Sequence, residues 1–392
     1  MEKKNNINNS IDPPEEDTQA FESVYTDNFP GILKALNVSL AVTSYQTHRL
    51  IFIRSDGKTI DTYFKTFQRP MGIYADRNRL TLGTFSQVLE LKRCDDLLMK
   101  IKNGDLDNTD TMPRKLLEKD REKMQALTEK RKQELEEVKK SDTLFLSRAA
   151  LTTGMINIHD IAWGTEGLWV VNSTFSCLST LSTNFSFIAR WKPHFISEII
   201  AEDRCHLNGM ALKDGKPKYV TTFNKFDTRD SWAKCDKHDG TLMDVDTNEI
   251  LIDGLIMPHS PRYYNGKVYL CDSGTGKVVE YNPENGELTE IVKLQGFTRG
   301  LTFCGPLMFV GLSQSRASDI KKPAPITLEY EKTYSGIWVI NMENYQEIAY
   351  IKFEGDIHQI YDIEIIKDAL YPNLINIEDS LIRHCFDYNE AL

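Results

Sequence analysis

The chain has 392 residues, 41% of them hydrophobic, which is enough to bury one large β domain or two to three smaller ones. A net charge of −10 and a pI near 5.4 argue against nucleic acid as the main partner, because a phosphate backbone would be met by clustered Lys and Arg. The N-terminal MEKKNNINNSIDPPEEDTQ lacks the apolar core of a leader, and no apolar run reaches the ~18 residues of a span, so neither signal peptide nor membrane segment is expected and the expected compartment is the cytoplasm. The 7 cysteines are dispersed without CxxC pairs and read as reduced, mostly buried thiols.

Residues 1–28 are polar, Asn-rich and acidic, with Pro13-Pro14, and are expected to form a disordered arm. From Leu36 the text turns strand-like: LNVSLAVTSY, HRLIFIRSDGKTI, then MGIYADRNRLTLGTFSQVLEL. Near residue 103 the alternation stops. Residues 112–140 are dense in both charge signs, with a sparse apolar face from Leu116, Leu117, Met124, Leu127, Leu135 and Val138. That pattern predicts a charged helix or helical hairpin over 103–142, inserted either as a solvated element or as a surface for a protein partner or self-association.

Beyond the insertion one phrase recurs: HDIAWGTEGLWVVNS from His159, NGMALKDGKPKYVTTFN from Asn208, HSPRYYNGKVYLCDS from His259 and RGLTFCGPLMFVGLS from Arg299. Each runs from a polar residue through a strand, a short turn and a second strand that closes on Ser or Asn. MGIYADRNRLTLGTFS from Met71 is the same phrase ahead of the insertion, and IHQIYDIEII (357–366) opens a sixth copy that the remaining chain is too short to finish. The strands LNVSLAVTSY, RLIFIRSDG and TIDTYFK would complete it. Repeats of this kind predict an all-β, six-bladed β-propeller over 29–370, closed by N- and C-terminal strands sharing one blade, with the insertion between the second and third repeats and a C-terminal tail over 371–392. A β-sandwich plus a helical domain would explain the alternation but not the recurring punctuation.

In a propeller, the residues just before each innermost strand converge on the channel axis. This gathers Met71, His159, Asn208, His259, Arg299 and Tyr361, with His206 and His358 slightly upstream. Four imidazoles (His159, His206, His259, His358) with Asn208 suit a divalent transition metal, Zn, Fe, Cu or Ni, better than Ca or Mg, which prefer oxygen ligands; a rim histidine bonded to a neighbouring blade is the structural alternative. Arg299, Arg262, Arg204 and Arg69 flank the phrase starts, Arg316 follows VGLSQSR, and Ser260 follows His259. These are candidates to bind a small anionic or peptide-like substrate, while ion pairs with Asp160, Asp203, Asp272 or Asp362 are the alternative use of the arginines. Glu202, Asp203 and Asp160 are the candidate proton-transfer groups or partners that orient a histidine. The combination is consistent with hydrolysis or oxidation at a metal, or with a non-catalytic rim that binds a ligand or protein.

Other signals are bland. SGTGKV (273–278) lacks P-loop spacing and reads as a hairpin turn, no Gly-x-Ser-x-Gly elbow occurs, and Trp163, Trp169 and Trp338 fall on core strand patterns.

The strings AEDRCHLNGMAL, MPHSPRYYNGKVYLCDSGTGKV, FTRGLTFCGPLMFVGLSQSR and SGIWVINM resemble an uncharacterised bacterial family catalogued as a conserved hypothetical, domain-of-unknown-function protein. The resemblance covers about Leu36 to Ile366 apart from the insertion, and implies a propeller without implying an activity. More distantly, Asn208-Gly209 is similar to the Asn-Gly that opens a blade in the gluconolactonase and senescence-marker propellers, where the Asn binds a channel cation. The Glu and Asp that complete that group's site are here replaced by His159 and His259, a departure from calcium and lactonase chemistry.

Overall fold

The structure, a computed structural model, describes residues 21–106, 121–234, 237–315 and 323–388. The chain begins with β1 (Phe21–Tyr25) and α1 (Phe29–Leu36), then forms β2 (Val38–Ser44), β3 (Arg49–Ser55) and β4 (Ile60–Thr66) of blade 1. Blade 2 is β5 (Ile73–Ala75), β6 (Arg79–Gly83), β7 (Gln87–Arg93) and β8 (Thr143–Thr152), and blade 3 is β9 (Ile158–Gly164), β10 (Gly167–Asn172), β11 (Cys177–Thr180) and β12 (Ile188–Trp191). Blade 4 comprises β13 (Leu207–Lys213), β14 (Lys216–Thr222), β15 (Gly240–Asp244) and β16 (Ile250–Leu255), and blade 5 comprises β17 (Pro258–Tyr264), β18 (Lys267–Asp272), β19 (Lys277–Asn282) and β20 (Glu287–Lys293). In blade 6, β21 (Phe297–Cys304), β22 (Leu307–Ser313), β23 (Ser335–Asn341) and β24 (Glu347–Gly355) are followed by the return of the chain to blade 1 through β25 (Ile363–Lys367).

β25 pairs with β2, so the first blade takes its inner strand from the C-terminal part and its other three from the N-terminal part, as the sequence predicts. This six-bladed propeller encloses its apolar residues between blades: Phe52, Leu82 and Phe145 pack between blades 1 and 2, and Val171, Leu207 and Met243 between 3 and 4.

Three boundary expectations are corrected. The insertion does not separate two blades. It interrupts blade 2 between β7 and β8, because QVLELKR completes the third strand before α2 (Asp95–Asn103) and α3 (Arg121–Lys139) leave the sheet. The N-terminal arm contains structure: the alternating FESVY forms β1, the fifth strand of blade 6, paired antiparallel to β24, while residues 1–20 lie outside the described residues. Part of the C-terminal tail is also packed. Its β26 (Pro372–Ile375) runs parallel to β8, and Leu381 and Cys385 are buried against α2 and the end of α3. The six cysteines described are unpaired, five buried and Cys304 partly so; Cys235 lies outside the described residues.

The Ser that closes the phrases of blades 3, 5 and 6 has a physical reason. Ser313 Oγ donates to Ile360 O at 2.9 Å and accepts from Ile360 N at 3.1 Å, latching blade 6 to blade 1. Ser273 Oγ bonds Thr298 O, and Ser173 Oγ bonds Leu207 O, in the same way. A second device alternates around the channel. Directly after the phrase starts, blades 1, 3 and 5 carry Asp362, Asp160 and Ser260, whereas blades 2, 4 and 6 carry Gly72, Gly209 and Gly300. Each polar side chain accepts a backbone N–H from the next blade: Ile73 to Asp362 at 3.4 Å, Met210 to Asp160 at 3.0 Å and Gly300 to Ser260 at 2.9 Å. The glycines in turn let the blade that follows them come close, since a Cβ on Gly209 would stand 2.3 Å from Pro261 Cδ of blade 5.

Candidate functional site at one mouth of the channel

Two rings of residues build the mouth. The phrase starts Met71, His159, His259, Arg299 and Tyr361 line a cavity of about 390 Å³ together with the residues two positions earlier, Arg69, Asn157, His206, Met257, Phe297 and Gln359. Asn208 is buried, does not line the cavity, and leaves its Nδ2 without a partner. Left-handed backbone concentrates here: Arg69, Asn157, Asp203, His206 and Met257, all lining residues, have φ between 45° and 52°. Non-glycine residues are held in that region only where surrounding structure dictates it, a pattern that clusters at ligand sites.

The turns aim the imidazoles. Asn157 O lies 2.9 Å from His159 Nδ1, and Met257 O lies 2.9 Å from His259 Nδ1, which also meets Ser273 Oγ at 2.8 Å. His206 Nδ1 meets Asp203 Oδ2 at 2.8 Å. Since a carbonyl or carboxylate only accepts, each Nδ1 carries the hydrogen and each Nε2 is left for the cavity. Burial, reinforced by His206, holds His159 well below the usual imidazole range. His259 is lowered by burial and then by Arg299. The rings of His159 and His206 stand 4.6 Å apart, and His206 lies 4.1 Å from Trp232. His358 does not join them: it does not line the cavity, its Nδ1 has no partner, and its backbone is tied to Gln46 and Gln314. Among the described residues, no three His, Cys, Asp or Glu side chains are spaced to hold one metal ion.

The arginines divide sharply. Arg204 is bound to Asp227 at 2.7 Å, Glu202 at 2.9 Å and Glu198 at 3.0 Å, so both Arg204 and Glu202 serve an ion-pair network away from the cavity. Arg262 crosses the channel from blade 5 to Asp160 of blade 3 at 2.8 Å and Asp362 of blade 1 at 3.3 Å. Asp160 is therefore turned away from the histidines, and Ser260 is spent on Gly300 N. Below Arg262 a smaller hollow of about 290 Å³ contains Asp160 and Glu364. Three carboxyl groups around one guanidinium are underneutralised: burial pushes Asp362 up to about 7 and Glu364 up to about 8. Arg316 lies outside the described residues.

Arg299 is different. It is 9% exposed, has no carboxylate partner among the described residues, leaves Nε unpartnered, and stacks with its guanidinium carbon 3.7 Å from the Tyr361 ring centre. An unpaired buried guanidinium is costly unless something anionic joins it. A larger hollow of about 440 Å³ on the outer side of blades 1 and 2 holds no comparable set, and its one arginine, Arg148, is paired with Asp387 at 2.9 Å.

Sequence reasoning missed Phe223, Trp232 and Phe297, which wall the cavity. Phe223 follows β14, so the end of a second strand returns to the same mouth as the start of the first. Trp232 sits on the short α4 (Ser231–Lys234), anchored by Ser231 Oγ to Arg204 O.

A family model described as a domain of unknown function, DUF4915, matches residues 27–117 and 111–375. The chain belongs to this family. No curated protein matches it. Among solved structures, a chain of a nidogen/laminin complex aligns with TM-score 0.50 at 9% identity, covering 84% of this chain and 99% of that one, a likeness that speaks to fold alone. The computationally designed Ika8 protein aligns at TM-score 0.34 and 9% identity over 82% of this chain and 76% of that one. No described helix of this DUF4915 chain is long and apolar enough to cross a membrane.

Proposed function

We propose that the channel mouth is a binding site for a small organic anion, with Arg299 as its anchor. The observation that carries this reading is the buried guanidinium of Arg299, without a carboxylate partner among the described residues, facing a cavity of about 390 Å³, within the range of small-molecule sites. The test is isothermal calorimetry with acetate and inorganic phosphate against wild type and Arg299→Gln. Millimolar or tighter binding lost in the variant is expected; equal binding by both proteins would sink the reading.

A catalytic reading is favoured by the imidazoles. Asp203 orients His206 and leaves Nε2 facing the cavity, the arrangement of a proton-transferring pair, whereas Glu202 and Asp160 are committed elsewhere. Committed Nδ1 atoms on His159, His206 and His259 are also what metal ligands require. A transition-metal ion would need ring movements, since the present spacing does not suit one. Elemental mass spectrometry on protein purified without chelator tests this: near-stoichiometric metal lost in His159→Ala/His259→Ala supports it, and metal-free protein after reconstitution removes it. A protein partner for the 112–140 segment, part of which lies outside the described residues, would be tested by deleting it and reading ligand affinity, which the channel-mouth site predicts to be unchanged.

A further inference from the structure

We infer that the anion accepted at this mouth is an aromatic monocarboxylate, its carboxylate on Arg299 and its ring against the cavity wall formed by Phe223, Phe297 and Trp232 with the imidazoles packed among them; the inference rests on the anion-site reading above. The cavity is two-sided. Blades 6, 1 and 2 supply Arg299, Tyr361, Gln359 and Arg69, while blade 4 and the segment between blades 4 and 5 supply Phe223, Trp232 and Met257, with Phe297 opening β21 two residues before Arg299. Charge favours one negative group. Among the described residues, Arg299 and Arg69 face the cavity against the single carboxylate of Asp203, one net positive charge before the imidazoles are counted, and His159 and His259 are held neutral by burial. A phosphate dianion would bring one charge too many into a buried site.

The apolar side has a shape suited to a ring. Phe223 and Phe297 flank His259 edge-on, at 5.1 Å and 5.3 Å between centroids and 77° between planes in both cases. Phe223 and Trp232 also meet edge-to-face, at 6.1 Å and 71°. Such walls offer positive ring edges and negative faces to a further aromatic ring, a geometric preference that a saturated ring of equal size does not satisfy. His159, His206 and His259 line the same cavity with their Nδ1 atoms already bonded, which leaves Nε2 to meet a polar substituent on the ligand.

The experiment uses the full chain, titrated calorimetrically with phenylacetate, indole-3-acetate, cyclohexylacetate, acetate and inorganic phosphate. Phenylacetate or indole-3-acetate is expected to bind at least tenfold more tightly than the other three. Arg299→Gln should abolish this, and Phe223→Leu should weaken the aryl ligands at least fivefold while leaving acetate unchanged, with thermal melting confirming that both variants are folded. Cyclohexylacetate equal to phenylacetate would overturn the aromatic assignment, and phosphate or acetate equal to the aryl acids would overturn it while sparing the anion site. If none of the five binds, both readings fall.

Discussion

Arg262 is the strongest structural commitment in the channel, and its removal tests how the ring of blades is tied together. The side chain joins blade 5 to Asp160 of blade 3 and Asp362 of blade 1. Replacing it with Met keeps much of the volume but strands two buried carboxyl groups, and breaking a buried pair from one side costs about 3–5 kcal/mol. The cost is partly offset because Asp362, already pushed up to about 7, takes a proton readily. Urea unfolding followed by circular dichroism at pH 7.5 should therefore show Arg262→Met destabilised by about 3 kcal/mol, the lower end of that range. Adding Asp160→Asn and Asp362→Asn should restore most of the loss, because the stranded charges are then gone. A single variant within about 1 kcal/mol of wild type, or a triple variant no better than the single one, would refute the strut.

The same chemistry sets a pH dependence. Asp362 and Glu364 have folded values raised from 3.8 and 4.5 to about 7 and about 8, so the folded state holds their protons more tightly than the unfolded chain. Their stabilising contribution is complete below pH ~4 and is lost as pH rises through 7 to 8. Glu364→Gln should accordingly raise the urea midpoint at pH 8.5 and give no gain at pH 4; a gain confined to acid pH would contradict the assignment. Ser313→Ala removes both bonds to Ile360 and should cost about 1–3 kcal/mol, read as a lower urea midpoint. Gly209→Ala, with its Cβ 2.3 Å from Pro261 Cδ, should cost on the order of 1–3 kcal/mol or prevent folding, and tolerance without loss would show that blades 4 and 5 can separate.

The fold was legible because its repeat writes a recurring punctuation from blade to blade. Ser at the end of the second strand and the alternation of Asp or Ser with Gly after the phrase starts are consequences of blade-to-blade hydrogen bonds, so they recur in the text. The insertion was misplaced because the strand following it, TLFLSRAALT, has no turn signal linking it back to QVLELKR across 49 residues of separation between Leu144 and Asp95. The strand in FESVY was hidden for a related reason: five alternating residues become a strand only where an outer edge such as β24 awaits them.

The site was legible in part. Position in the phrase places His159, His259 and Arg299 on one rim, but it does not reveal how long arginines will be spent. Arg204, Arg262 and Arg299 look alike in sequence, and only tertiary contacts separate two saturated guanidinium groups from one without a carboxylate among the described residues. Nor does the phrase reveal that the residues two places earlier form a second lining ring, four of them (Arg69, Asn157, His206 and Met257) with left-handed backbone.

That separation gives the last prediction. A residue kept for binding rather than stability is a burden to the empty protein, because a desolvated charge without a partner opposes folding. Arg299→Met keeps contact with Tyr361 through an apolar chain, loses a cation–π contact of ~2 kcal/mol when desolvated, and removes a desolvation cost of several kcal/mol. The ligand-free variant should match or exceed the wild-type urea midpoint while losing anion affinity. An unfolding free energy more than about 2 kcal/mol below wild type would mean that Arg299 is paired in the folded protein, and would make it a structural residue like Arg262.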